Sequence, residues 1–429
     1  MNMAGYEEKL AALIKRYKER TPLSAQSIEA AKQYMPGGNT RTVLYYAPYP
    51  VVLTHGDGAY VYDLDGHRYL DCVGEFSAGL YGHKPALIQS GLQEVLQQGL
   101  TLGGPNTWEQ QLAALLCDRF PSLERVRFCN SGTEANLYAL VTAIALTGRS
   151  KVLVFDGAFH GGVLTFPDGP SSVNAPFEWV ILPYNDVAQT RTYLQQFGNE
   201  LAAILVEPIL GAAGNIPGDQ SFLQMLREES KGCGALLIFD EVKTSRCGQS
   251  GMQGLLNIVP DMSTYGKYIG GGMTFGAFGG RATIMDSYDP QSAHRLNHPG
   301  TFNNNVLSMA AGVIGLSQIY TKKRADHFHE QTEQFKTQLE NAMQAEGWPI
   351  TLTGHGSMFS INLGPAPRNA KEVTEETRKL RQLVHLRCLE LGVRLASRGD
   401  IYLNIEMNAR DLELLQESLL TAVREVLTE

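Results

Sequence analysis

Ala235-Leu236-Leu237-Ile238-Phe239-Asp240-Glu241-Val242 is a short apolar run that stops on two acids. It is too short for a helix and has no polar alternation, so both of its faces must be covered, as in a mostly parallel sheet with helices packed on each side. The same kind of run recurs at residues 126–129, 151–155 and 202–206, and helical periodicities fill residues 108–119, 133–146 and 222–231. Alternation of this sort from about residue 71 to 312 predicts an α/β domain. Upstream, residues 5–20 place Leu10, Leu13, Ile14 and Tyr17 on one helical face, and a second helix reaches Tyr34 before Pro36-Gly37-Gly38 breaks it. Short strands follow at 51–54, 59–63 and 67–70, with Asp65-Gly66 as a hairpin turn. Downstream of Asn305 a long helix leads through Ala310-Ala311 toward Tyr320, and helices at 325–345 and 375–391 alternate with short strands. The expected organisation is a large domain over 71–312 and a smaller α+β domain over 313–429, which residues 1–70 complete.

The chain has 429 residues, 43% of them hydrophobic and 19% charged, with a formal net charge of −8. That balance is ordinary for a soluble globular enzyme, and no basic run speaks for nucleic acid. Cys72, Cys117, Cys129, Cys233, Cys247 and Cys388 show no regular spacing, which argues against a disulfide framework or a zinc ribbon. No basic segment followed by an apolar core opens the chain, and no stretch approaches the ~18 apolar residues of a membrane span. A soluble, cytoplasmic protein is expected. The pairs His294/His298 and His327/His329 lack a third ligand, so no metal site is expected.

Chemistry concentrates where strands end. Lys267 lies 27 residues beyond Asp240, in Tyr265-Gly266-Lys267-Tyr268-Ile269-Gly270-Gly271-Gly272. A lysine among glycines and hydrophobic residues, paired with an acid at a strand's C-terminal end, is what pyridoxal 5′-phosphate (PLP) requires: the amine forms a Schiff base and the carboxylate keeps the pyridine nitrogen protonated. Asn130-Ser131-Gly132-Thr133 follows one strand and opens a helix, where unpaired N–H groups and the helix dipole favour a phosphate, although Ser-Gly-Thr is also an ordinary N-cap. Phe155-Asp156-Gly157-Ala158-Phe159-His160-Gly161 follows the next and offers an aromatic ring for stacking, while Glu207-Pro208 ends a third. In open α/β sheets such strand ends converge on one ligand crevice.

These strings together resemble the class III, fold-type I PLP-dependent aminotransferases, from about Met35 to the C-terminus: Phe128-Cys129-Asn130-Ser131-Gly132-Thr133-Glu134-Ala135, Phe159-His160-Gly161, Val206-Glu207-Pro208, Leu237-Ile238-Phe239-Asp240-Glu241-Val242, Gly266-Lys267 and Gly300-Thr301-Phe302-Asn303-Asn304-Asn305. The resemblance implies Ser131, Gly132 and Thr133 on the phosphate, Phe159, with His160 beside it, and Val242 about the ring, Asp240 on the ring nitrogen and Lys267 as the Schiff-base lysine. It also implies that Glu207 helps to orient the Asp240 side of the site. Thr301 would reach the phosphate of a neighbouring subunit, making the active unit a homodimer. Phenylalanine stands at 159 where the family usually has tyrosine.

Within the family the chain is most similar to β-amino-acid (β-phenylalanine-type) aminotransferases, with glutamate-1-semialdehyde 2,1-aminomutases as near neighbours. Both share the segment containing Arg41, which binds a substrate carboxylate in them. Leu395-Ala396-Ser397-Arg398-Gly399-Asp400 favours the aminotransferase branch, because Arg398 stands where that branch has an arginine. Two-substrate chemistry needs such a residue: an amino donor and a keto acid such as 2-oxoglutarate place their carboxylates differently, whereas a mutase handles one compound. A nicotinamide oxidoreductase is excluded by the absence of G-x-G-x-x-G joining a strand to its helix. A cofactor-sensing DNA-binding regulator would need a longer and more basic N-terminal module.

Overall fold

In the computed structural model, which describes residues 5–427, seven strands form the central sheet. They are β1 (Arg125–Cys129), β2 (Lys151–Phe155), β3 (Glu178–Leu182), β4 (Leu201–Val206), β5 (Leu236–Asp240), β6 (Met262–Gly266) and β7 (Gly276–Gly280). The spatial order is β1-β7-β6-β5-β4-β2-β3, and only β7 runs against the others. Every residue of β4 is buried and β5 is buried from Leu237 onward, as unbroken apolar runs require. Their C-terminal ends therefore open onto one edge, where Glu207 and Asp240 stand.

Three strands of this sheet escape the sequence reading, and each for a physical reason. β3 is an edge strand only partly covered, so its apolar run is short and follows an irregular segment. β6 is fully buried but reads Met-Ser-Thr-Tyr-Gly. Its hydroxyls are satisfied internally: Ser263 Oγ lies 2.9 Å from Ser122 Oγ, and Thr264 Oγ1 donates to Asn136 Oδ1 at 2.7 Å. β7 is Gly-Ala-Phe-Gly-Gly, the composition of a loop. Its glycines are required by close backbone approach: a Cβ on Gly276 would stand 2.2 Å from the Ser131 carbonyl oxygen, and one on Gly279 2.3 Å from that of Arg125.

A second core joins the two ends of the chain. Leu13 and Tyr17 of the helix Tyr6–Arg20 pack with Leu380, Leu383 and Val384 of the helix Glu375–Glu390. The hairpin strands Leu53–Asp57, Tyr60–Asp63 and Arg68–Asp71 are extended by Val393–Arg394, which pairs parallel to the third. A separate three-stranded sheet, Ile350–His355, Met358–Leu363 and Asp400–Tyr402, carries Asp400 and Tyr402 toward the large domain. No helix of the described residues is long and apolar enough to cross a membrane.

Candidate active site

The turn from β1 into the helix Gly132–Thr147 builds one wall. Ser131 caps the helix, its Oγ accepting from the Glu134 N–H at 3.1 Å while Glu134 Oε2 accepts from the Asn130 N–H at 2.9 Å. The first-turn N–H groups at Gly132 and Thr133 have no helical acceptor, which leaves a donor cluster at the positive end of the helix dipole. Gly132 cannot be larger, because its Cβ would come within 2.8 Å of Val242 Cγ1. Thr133 Oγ1 accepts from the Gly162 N–H at 3.2 Å and closes the loop after Phe159 against this turn.

Asp240, at the end of β5, is 4% exposed and held from three sides. Its Oδ2 accepts from Asn136 Nδ2 and from His160 Nδ1, both at 2.8 Å, and its Oδ1 from the Val242 N–H at 3.0 Å. Asn136 Nδ2 also donates to the His160 carbonyl oxygen, fixing the loop and the carboxylate together. The Glu207 carboxylate accepts from the Phe159 N–H at 2.9 Å and the Gly211 N–H at 3.1 Å, so it shapes the loop that carries His160, while Asn136 and His160 bond Asp240 directly. Burial pushes the Glu207 carboxyl above the usual range.

Lys267 follows β6 with φ of 55°, a left-handed conformation that non-glycine residues adopt at a cost of about 1–2 kcal/mol. Loss of solvent, then the neighbouring Lys243, Arg41 and Arg398 cations, pull its amine down to about 8 despite the opposing charge of Asp240. Ser131, Gly132, Thr133, Phe159, His160, Glu207, Asp240, Val242 and Lys267 all line one cavity of about 620 Å³.

Arg41 and Arg398 meet at Phe76, their guanidinium carbons 5.8 and 5.0 Å from its ring centroid. Phe76 is part of an unusual turn in which Glu75, Phe76 and Ser77 have φ of 49°, 52° and 85°. Glu75 lines the cavity and pairs with Arg41 at 2.6 Å. Arg398 Nε donates to Asp400 Oδ2 at 2.5 Å and the residue lines an adjoining cavity of about 540 Å³, which shares Phe159 with the first. Thr301 is not among these residues. It sits on an exposed turn beside a third cavity, lined by Gly300, Asn303 and Asn304, and linked back to the site through the Asn130 Nδ2 bond to Asn303 Oδ1 at 3.1 Å.

Two residues of the site carry no functional expectation from sequence. Asn136 is the one side-chain amide in a mostly apolar helix, one turn beyond Gly132, and that i, i+4 spacing is the signal that places it on the cavity face. Lys243, directly after Val242, reads as a solvated loop lysine yet stands in the cavity wall.

A mostly parallel sheet with a lysine, an aspartate and a helix N-terminus converging at its carboxyl edge defines a fold-type I PLP enzyme. The class III aminotransferase family matches residues 45–405, and the chain belongs to that family. It is 43% identical over 414 residues, 96% of this chain and 95% of the other, to the β-phenylalanine transaminase of Variovorax paradoxus. The crystal structure of a β-phenylalanine aminotransferase from that organism superposes with a TM-score of 0.96 at 42% identity, covering 98% of this chain and 99% of that one. A glutamate-1-semialdehyde 2,1-aminomutase of Bacillus pumilus is 35% identical over 356 residues, 79% of this chain and 82% of its own. A transaminase solved with PLP bound superposes at 0.84 with 29% identity, over 95% of this chain and 98% of that one. The protein is a PLP-dependent aminotransferase. The cavity fits that cofactor on its own evidence: an unpaired donor cluster at Gly132 and Thr133, a fixed carboxylate at Asp240, and a buried His160 Nε2 with no partner in the protein.

Proposed function

We propose that the enzyme transfers the amino group of an aromatic β-amino acid, of the β-phenylalanine type, to an α-keto acid such as 2-oxoglutarate in a ping-pong cycle. The observation that carries this reading is the pair of arginines about Phe76 beside Lys267. In it, Arg41 releases Glu75 and takes the carboxylate of the β-amino acid. Arg398 engages the side-chain carboxylate of the acceptor and withdraws for an aromatic ring. Ser131, Gly132 and Thr133 would hold the cofactor's phosphate, Phe159, Val242 and His160 would bound its ring, and Lys267 would anchor it. When bound, the protonated pyridine ring supplies a sink for the electron pair left by the departing substrate proton. Asp240 keeps that ring nitrogen protonated. Lys267, with an amine down at about 8, takes and returns the substrate's proton near neutral pH.

We further propose a homodimer in which Thr301 of one copy serves the phosphate site of the other, supported by its place on an exposed turn away from its own Lys267. The six cysteines are all free, which suits the reducing cytoplasm. The separate cores support two domains divided at about residue 70 and, because Val313, Ile314, Leu316 and Tyr320 pack with Tyr265 and Tyr268 of the large one, beyond residue 320 rather than at 312. Incubating the holoenzyme with 3-amino-3-phenylpropanoate and 2-oxoglutarate, and in parallel with glutamate 1-semialdehyde, tests the reading. Glutamate formed from the first pair is the expected result, and isomerisation of the second compound alone would assign the aminomutase activity instead.

A further inference from the structure

Arg398 does not stand alone in the cavity wall. Asp400, its partner, is wholly buried and accepts from Arg398 Nε at 2.5 Å, Ser360 Oγ at 2.7 Å and Tyr402 Oη at 3.2 Å. Asp400 and Tyr402 are two apart on one strand and so share its face. Tyr402 Oη in turn accepts from Lys243 Nζ at 3.0 Å. Glycine at 211 leaves room for the amine there, since a Cβ on it would come within 2.5 Å of Nζ. Lys243, Tyr402, Asp400 and Arg398 thus form one continuous chain with a cation at each end and a carboxylate between them. Lys243 also lies in electrostatic reach of Glu207 and Asp240.

The dual recognition proposed above requires Arg398 to leave Asp400 when an aromatic ring enters. A buried carboxylate stripped of its only directly bound cation is strongly unfavourable, so the movement would be forbidden unless another positive charge remained. Chains of hydrogen bonds polarise one another inside a protein, and a tyrosine hydroxyl that accepts from an ammonium is a stronger donor to the next group. Burial alone would push the Asp400 carboxyl up, yet it is held below the usual range by Arg398 first and Lys243 next, with the Ser360 hydrogen bond and the more distant Arg381 contributing less.

We propose that Lys243 is the positioning residue that makes Arg398 mobile: acting through Tyr402, its ammonium retains the counter-charge on Asp400 while the Arg398 guanidinium is displaced. This rests on the two-arginine reading of the site. Lys243 governs acceptance of the aromatic donor, with little part in holding the dicarboxylic acceptor, for which Arg398 stays docked on Asp400.

Equilibrium titration calorimetry of the holoenzyme with 3-phenylpropanoate and with glutarate, neither of which can react, separates the two states. Lys243→Met should weaken 3-phenylpropanoate by at least about tenfold and leave glutarate within about threefold of wild type, and Lys243→Arg should restore the first ligand. Tyr402→Phe, which cuts the relay while keeping the lysine, should reproduce the same selective loss and serves if Lys243→Met does not fold. Equal weakening of both ligands would make Lys243 a direct carboxylate ligand and overturn the proposal, as would unchanged binding of both. Arg398→Ala distinguishes the two levels of the argument. If it spares glutarate, the two-arginine reading fails; if it weakens glutarate while Lys243→Met and Tyr402→Phe spare 3-phenylpropanoate, only the role of Lys243 fails.

Discussion

Replacing Asp240 by asparagine keeps the size of the side chain and changes only what its two terminal atoms can do. Oδ2 faces two donors, Asn136 Nδ2 and His160 Nδ1, each at 2.8 Å. Asparagine must therefore put its oxygen there and its NH₂ group where Oδ1 now stands. That group would meet the Val242 N–H, 3.0 Å away in the wild type, donor against donor. The variant loses a charge-assisted acceptor for a backbone N–H and can no longer hold a proton on a ring nitrogen. A hydrogen bond to a charged group contributes about 1.5–3 kcal/mol, and each 1.36 kcal/mol is a factor of ten in rate, so kcat should fall about 10- to 150-fold. Phosphate binding at Ser131, Gly132 and Thr133 is untouched, and the cofactor should stay bound. A second consequence is independent of turnover. Asp240 supports the Lys267 ammonium, so neutralising it should move that amine further below about 8 and shift the pH profile of cofactor capture by the apoprotein to lower pH. Single-turnover kinetics and stopped-flow capture read the two effects separately. A rate within about threefold of wild type together with an unmoved capture profile would refute the assignment.

Lys267→Ala should abolish turnover and the visible absorbance of lysine-bound cofactor while leaving the far-ultraviolet circular dichroism unchanged. In the wild-type apoprotein, protonated Lys267 dominates below about 8 and the neutral amine above it, so the rate of cofactor capture should rise with pH through about 8 and then level off. Arg398→Ala should raise the apparent KM for 2-oxoglutarate by at least about tenfold, the loss of a charge-assisted bond, and change the donor half-reaction much less; an unaltered acceptor half-reaction would count against its role. Arg41→Ala should instead raise the KM for the β-amino acid, measured with the acceptor saturating. Gly276→Ala drives a methyl group to 2.2 Å from the Ser131 carbonyl oxygen, which cannot rotate away, and should cost at least about 1–3 kcal/mol with a parallel loss of cofactor affinity. Gly162→Ala, which meets nothing within 4 Å, is the control for thermal melting.

The parts of this molecule legible in its sequence are those in which side-chain chemistry and local pattern agree. β4 and β5 announce themselves because six and five consecutive positions are apolar or nearly so, and Asp240 stands out as the acid that ends such a run. Lys267 is legible for its setting among glycines. β7 is not, because what fixes it is the absence of side chains against β1 and β6, and an absence has no periodicity. Asn136 and Lys243 fail for a related reason: a lone amide in a helix and a lone lysine in a loop acquire meaning only from groups more than 100 positions away, Asp240 for the first and Tyr402 for the second. That Glu207 reaches Asp240 through the Phe159–His160 loop likewise depends on which N–H groups the folded loop presents.

The left-handed run from Glu75 to Ser77 bears on how the enzyme's repertoire can change. Phe76 stands at the meeting point of the two arginines, so it is the position that a lineage or a protein engineer would alter first to admit a different donor. Its φ of 52° closes most of those routes. Valine, isoleucine and threonine, whose branched Cβ clashes with the backbone at positive φ, are disfavoured whatever room the pocket has, while asparagine and unbranched residues remain open. Diversification at this position is bounded by the handedness of the main chain before it is bounded by volume, and a saturation library there should return survivors sorted by branching rather than by size.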